Sequence, residues 1–217
     1  MSSTDTIRAL AEAFVFLTKN TLPDKITVSD IIAQAGKNRK TFYYHFIDKD
    51  HLIVWIFRHD LSGQLLSRFA PDELVYEEQG DDPCTKLPYY TFVKRGVRSL
   101  DGADFLTAFA ATFEQRRSYY IKILRMQTSC PLKDYLYRLY VPALRDDIRF
   151  ILSNRHLQDA SIDFLAEFYA GAFLSYVFHR VETPGQRRIL EGVGPFSNII
   201  HTSLENEIKE QQLRRRL

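Results

Sequence analysis

Thr27 to Lys49 reads TVSDIIAQAGKNRKTFYYHFIDK, and this stretch decides the fold. Thr27 precedes an apolar-periodic run, so its hydroxyl can cap the free backbone N–H groups of a first helical turn. Asp30, three residues on, completes a capping-box pattern with Asp in place of the usual Glu or Gln. Ile31, Ile32 and Ala35 supply a buried face. Gly36 ends the helix, because glycine enters the left-handed conformation that a sharp turn needs. A second helix is expected from about Arg39 to Phe46. Phe42 and Phe46 share its buried face. Lys40, Thr41, Tyr44 and His45 then point outward, with Arg39 and Tyr43 flanking the buried stripe. Two short helices across a tight turn, the second one basic and aromatic, commonly place a helix in the major groove of DNA.

With those residues in view, the segment resembles the helix-turn-helix signature of the TetR/AcrR family of bacterial transcriptional regulators. The matching positions are Thr27, Ala35-Gly36, Thr41-Phe42-Tyr43-Tyr44-His45-Phe46 and Lys49. Two positions depart from the family pattern: Lys37 replaces a small apolar residue after the turn glycine, and Asn38 replaces Ser. The lysine leaves the segment KNRK more basic than the family norm. The resemblance implies an all-α chain with an N-terminal three-helix DNA-binding domain and a C-terminal helical domain for ligand binding and dimerisation. It also implies a homodimer on a palindromic double-stranded operator, repression as the default, and DNA binding controlled by an effector at the C-terminal domain.

The expected DNA contacts are Thr27, Ser29, Asn38, Arg39, Lys40, Thr41, Tyr43, Tyr44, His45 and Lys49. Arg39 stands near the start of the second helix, where side chains reach base edges, and its planar fork can bond both O6 and N7 of guanine. Lys40, Thr41, Tyr44, His45 and Lys49 suit phosphate clamping, which sets register without reading sequence. Tyr43 suits either role. The free N–H groups at the Thr27 helix start also suit a phosphate.

The whole chain is 217 residues long, 45% hydrophobic, with a net charge of only +2. It is long enough for one small and one medium domain, taken as 1–48 and 49–217, with a helix over 48–69 connecting them. DNA affinity must come from a local basic patch and not from overall charge. Cys84 and Cys130 lie far apart and in no metal-ligand spacing, which fits a reduced cytosol and inert thiols. The N-terminus lacks the pattern of a signal peptide, and Phe164 to Phe178 is too short and too polar to span a membrane. These features point to a cytoplasmic protein. There is no GxSxG, P-loop, GxGxxG or HExxH pattern, so no catalytic residue, cofactor or metal is assigned, and the chain is expected not to be an enzyme.

The rest reads as helical. A first helix is expected over Thr4–Asn20, and later ones over Tyr89–Leu100, Ala103–Met126, Leu132–Ser153 (kinked at Pro142) and Ser161–Glu182, with a weaker segment over Pro184–Gln212. Pro71 to Pro88 carries six acids before its first base and is expected to be a solvated, mobile loop, either irregular or helical in part, away from DNA. Ser161–Glu182 is apolar on more than one face. By resemblance, it and Arg187–Glu205 form the dimer interface. Effector-lining candidates are Phe109, Phe113, Tyr120, Tyr135 and Tyr169, with Phe105, Tyr119, Tyr137 and Tyr140 beside them, though aromatic stripes at helical spacing are more often plain core. The basic segment and the run Leu52, Trp55, Ile56 also resemble the DhaS-like subgroup, which implies control by a partner protein in place of a small molecule.

Overall fold

The computed structural model describes residues 3–96, 99–100, 102–127, 130–153, 157–183, 185, 188–190, 206 and 210. The described chain is almost wholly α-helical. Helices α1 (Ser3–Leu17), α2 (Val28–Ala35) and α3 (Arg39–His45) come first, followed by α4 (Lys49–Leu66). Helices α5 (Ala103–Gln115), α6 (Arg117–Leu124), α7 (Pro131–Leu152) and α8 (Asp159–Glu182) complete it.

Leu10 and Phe14 of α1, Ile31 of α2 and Phe42 of α3 are all fully buried, so the small N-terminal core is built from one face of each helix. That core continues without a break into α4, where the run Leu52 to Phe57, then Leu61 and Leu65, is buried. A helix apolar all round must be covered all round. Helix α4 accordingly lies against α1 at one end and against α5 and α7 along the rest. Asp48 caps it, its side chain accepting from the His51 N–H at 2.8 Å.

Three expectations are corrected. The segment expected as a helix over Tyr89–Leu100 is instead short strands: β1 (Leu74–Val75) pairs antiparallel with β2 (Tyr90–Thr91), and β3 (Lys94–Gly96) with β4 (Ser99–Leu100). Tyr, Thr, Phe and Val in this stretch favour extended backbone, and Leu74–Val75 supplies the strand with which Tyr90–Thr91 pairs. The single helix expected over Ala103–Met126 divides at Arg116, whose φ of −128° and ψ of 43° leave the helical region. The acidic stretch is not a free loop either. Short 3-10 turns at Pro71–Glu73 and Pro83–Lys86 and strand β1 fold it against α4, where Glu77 pairs with buried Arg58 and Asp82 with His51.

Pro142 lies within α7, which continues through it. Proline lacks the N–H that would reach back to the Arg138 carbonyl. Helices α7 and α8 form the most extensive pair, through Val141, Ile148, Leu165, Ala166 and Tyr169. The expected helix Arg187–Glu205 lies, apart from 188–190, outside the described residues, as does most of Pro184–Gln212. No helix among the described residues is long and apolar enough to cross a membrane.

Candidate nucleic-acid interface

Helix α2 begins with a capping box. The Thr27 hydroxyl accepts from the Asp30 N–H at 3.2 Å, and the Asp30 carboxylate accepts from the Thr27 N–H at 2.8 Å. Those bonds to Thr27 hold the exposed Asp30 carboxyl below its ordinary range. Gly36 closes the helix at φ 61°, with its own N–H bonded to Ala33 O and the Lys37 N–H to Ile32 O. Only this left-handed residue lets both bonds form, so the turn survives the change to Lys37 and Asn38 around it.

Asn38 then starts α3. Its Oδ1 accepts from the Thr41 N–H at 2.8 Å and from the Thr41 hydroxyl at 3.0 Å. Both residues are therefore part of the helix cap, and the Asn38 amide nitrogen is the group that the cap leaves unused. Phe42 and Phe46 are buried and anchor α3 to the core, with Phe46 reaching the Trp55 ring at 6.2 Å. The opposite side of α3 is open: Arg39, Lys40, Tyr43 and Tyr44 are exposed, Tyr44 at 81%. The Arg39 guanidinium lies 5.7 Å over the Tyr43 ring, a stack that orients its fork along the helix surface.

The remaining expected contacts fall less simply. Thr27 and Ser29 are exposed at the start of α2, Thr41 and His45 are half-buried on α3, and burial lowers the His45 imidazole so that it is neutral at pH 7. It offers one N–H and no charge to a phosphate. Lys49 points inward: its ammonium donates to Pro23 O at 2.7 Å and to Ile26 O at 2.9 Å. It ties the link before α2 to the start of α4 and so positions the motif from behind.

This unit is fastened to the rest of the chain by ion pairs and hydrogen bonds whose partners lie far apart in the sequence. Arg116, at the break between α5 and α6, pairs with Glu12 of α1 at 2.7 Å and with buried Asp60 of α4 at 3.1 Å. The Tyr120 hydroxyl donates to Asp60 at 2.7 Å. Lys122 donates to the carbonyls of Thr18 and Lys19 at the end of α1. Arg58, fully buried on α4, donates to Glu77, Tyr135 and the carbonyls of Cys84 and Leu87, under the Tyr89 ring. The signal was present in the run IVWIFRHDL: an arginine and an aspartate inside an apolar helix must be buried with partners.

His51, Asp82 and Cys84 bring three potential metal ligands within 4.8 Å of one another. The hydrogen bonding does not fit a metal. His51 Nδ1 accepts the Ile47 N–H at 3.3 Å, so the ring proton sits on Nε2, which donates to Asp82 at 3.1 Å. A metal on Nε2 would force the proton onto Nδ1, against the Ile47 N–H. Burial also pushes the Cys84 thiol up, away from the thiolate a metal needs.

Of the five effector-lining candidates, only Tyr169 borders the apolar cavity of the C-terminal half. Phe109, Phe113 and Tyr120 are fully buried core, and Tyr135 is engaged by Arg58. Of the four beside them, Phe105 and Tyr140 line the cavity, whereas Tyr119 is core and Tyr137 is on the surface. Tyr90 and Asp147 are also on the cavity wall but lie on no aromatic stripe, so the sequence does not mark them.

The comparisons with known proteins agree with this architecture. Residues 23–54 match the family model described as bacterial regulatory proteins, tetR family. Residues 103–186 match one described as transcriptional regulator C-terminal region. The HTH-type dhaKLM operon transcriptional activator DhaS of Lactococcus lactis subsp. lactis (strain IL1403) is 37% identical over 57 residues, 26% of this chain and 30% of that protein. The chain thus matches under a third of that relative's length. A solved structure named dihydroxyacetone kinase operon activator DhaS has the same fold, with a TM-score of 0.51 over 94% of this chain and 96% of that one, at 18% identity. A helix-turn-helix and a C-terminal region that both match models of these regulators, on one all-helical chain, place it: this protein belongs to the TetR family of bacterial transcriptional regulators and is not an enzyme.

Proposed function

We propose that the chain works as a homodimeric, sequence-specific DNA-binding regulator, with operator occupancy controlled by an effector in its C-terminal half. The observation that carries this is α3. Two buried phenylalanines hold it, and Arg39, Lys40, Tyr43 and Tyr44 stand exposed on its outer side. Arg39 reads a guanine edge, while Lys40 and Tyr44 hold phosphates.

The dimer reading is supported by α8. Ala160, Phe164, Phe168, Ala172, Ser175 and His179 are exposed at spacings of three and four, hence on one face. Phe164 and Phe168 stack at 5.9 Å while 62% and 57% exposed. Two adjacent open phenylalanines flanked by small residues fit a helix packing against its two-fold mate, and two recognition helices bind specifically where one short helix buries too little surface.

Selection of bound sequences from a random double-stranded pool by the purified protein, at two salt concentrations, tests this. A palindromic consensus with two half-sites is the expected result. Binding without enrichment, vanishing as salt rises, would leave only phosphate attraction and overturn it.

A further inference from the structure

A cavity of about 90 Å³ lies among α5, α7 and α8 and is apolar on nearly every side. Among its described lining residues, Asp147 is the single charged one. Asp147 Oδ2 accepts a hydrogen bond from the Tyr90 hydroxyl at 2.7 Å. Among the described residues no base pairs with it. The neighbouring arginines of α7 are directed elsewhere, Arg145 to Asp163 at 2.6 Å and Arg149 to Asp146 and Asp159. Burial first, and the adjacent Asp146 in addition, raise the Asp147 carboxyl to about 7 against the lowering effect of Tyr90. An acid left in an apolar wall with one hydroxyl for company is costly, and such groups mark functional sites.

The wall beside Asp147 is aromatic. The rings of Tyr90, Phe105 and Tyr140 lie 4.6, 5.7 and 5.9 Å apart in their three pairings. Aromatic faces attract cations, and most strongly where water is excluded. A half-buried carboxylate and three clustered rings are together the complement of an ammonium group on a small apolar body. We propose that this cavity binds a small aliphatic amine, its ammonium paired with Asp147 and its carbon skeleton among Phe105, Tyr140 and Phe173. Size bounds the skeleton, because about 150 Å³ admits benzene; the smaller space here takes a body of about four or five carbons.

The site also has a route to the connecting helix. Tyr90 adjoins Tyr89, whose ring lies 5.2 Å from the Arg58 guanidinium and whose carbonyl accepts from the Tyr140 hydroxyl at 2.9 Å. An amine that draws Asp147 away from Tyr90 therefore acts on the segment seated beneath α4. That effector role rests on the regulator reading above; the binding site does not.

The test uses the full chain, titrated with cyclopentylamine, cyclopentanol and cyclopentanecarboxylate, and followed by calorimetry and thermal denaturation. The amine is expected to bind and raise Tm, with the alcohol and the acid at least tenfold weaker. Asp147→Asn should lose at least tenfold in amine affinity. Tyr90→Phe, which keeps the carboxylate, should retain the preference for amine, and it decides the matter if the Asn variant does not fold. Equal binding of the alcohol, undiminished amine binding by D147N, loss of amine preference in Y90F, or no binding of the amine at millimolar concentration each overturns the proposal. Operator affinity is read in parallel. Amine binding without any specific DNA binding leaves the site and removes the regulator reading. Specific DNA binding without amine binding does the reverse, and turns attention to a partner protein. Amine binding that leaves operator affinity unchanged removes the effector role alone.

Discussion

Lys49 donates its ammonium proton to the carbonyl oxygen of Pro23 across 2.7 Å, 26 residues back along the chain. A second bond, to Ile26 O at 2.9 Å, makes the lysine a pin between the link before α2 and the first turn of α4. A charged donor to two carbonyls contributes stability of about 1–3 kcal/mol. Lys49→Met should therefore lower the denaturation midpoint and weaken binding to every DNA sequence alike, while leaving the salt dependence of binding nearly unchanged. A lysine clamping a phosphate would do the opposite, sparing stability and flattening the salt slope by about one unit. Urea denaturation and a binding series across salt concentrations separate the two roles.

Arg39 and Tyr43 form one unit through the 5.7 Å stack. Arg39→Ala should relax base preference at a single operator position, at a cost of about 1–3 kcal/mol for the preferred base. Tyr43→Ala frees the guanidinium and should blunt the same preference while leaving the salt slope intact. Lys40→Ala should weaken all sequences together and reduce the slope by about one unit. Selection experiments with each variant report the first two effects, and titration at several salt concentrations reports the third.

The helix-turn-helix was legible because its signals are local. Thr27, Asp30, Gly36 and Phe42 each specify a cap, a turn or a buried face within four residues of themselves. The stretch from Pro71 to Leu100 was not legible, because its structure comes from distant partners. Glu77 reads as one more solvated acid until Arg58 of α4 is seen beneath it. Asp147 is likewise one of two adjacent acids on α7, and nothing in RDD tells which of them turns into the cavity. The family resemblance implied a pocket, and of the nine aromatics offered for its lining Phe105, Tyr140 and Tyr169 border the cavity. Phe109 and Phe113 pack against Phe57 at 5.6 and 5.4 Å as core, while Tyr90 on a two-residue strand meets the cavity.

Arg58 should be the most sensitive polar residue outside the recognition helix. It is completely buried, and its guanidinium serves Glu77, Tyr135 and two backbone carbonyls. Arg58→Met leaves those carbonyls without a donor and should cost about 2–4 kcal/mol in urea denaturation. Glu77→Gln should cost less, because the Glu77 side chain is a third exposed and its partner keeps three other acceptors. Equal losses for the two variants would show that the ion pair, and not the carbonyl contacts, carries the stability.

The open face of α8 predicts an oligomer that a charge disrupts. Phe168 is 57% exposed beside Phe164, and a carboxylate between two apposed copies would be buried without a partner. Phe168→Glu should shift the protein to monomer in sedimentation, keep its helical circular dichroism, and lower affinity for a palindromic operator at least tenfold. Affinity for a single half-site should change little. An unchanged sedimentation coefficient would remove α8 from the interface.

Asp147 should give stability an unusual slope with pH. Its folded-state carboxyl stands at about 7, against about 3.9 for an unfolded aspartate. Between those values the native protein holds a proton that the unfolded chain has released. The contribution is fully present below about pH 4, declines as pH rises, and levels off above about pH 7, for a total of roughly 2–4 kcal/mol. The facing groups are the Tyr90 hydroxyl and the Asp146 carboxylate, with Tyr140 beyond. Neither tyrosine titrates in this window, since burial raises both. His45 works in the other direction, because its lowered imidazole loses stability as pH falls. The informative quantity is therefore the difference between wild type and Asp147→Asn, measured by urea denaturation from pH 4.5 to 8. That difference should change steadily up to about pH 7 and then flatten. A constant difference would mean that Asp147 is ionised throughout the range and already paired.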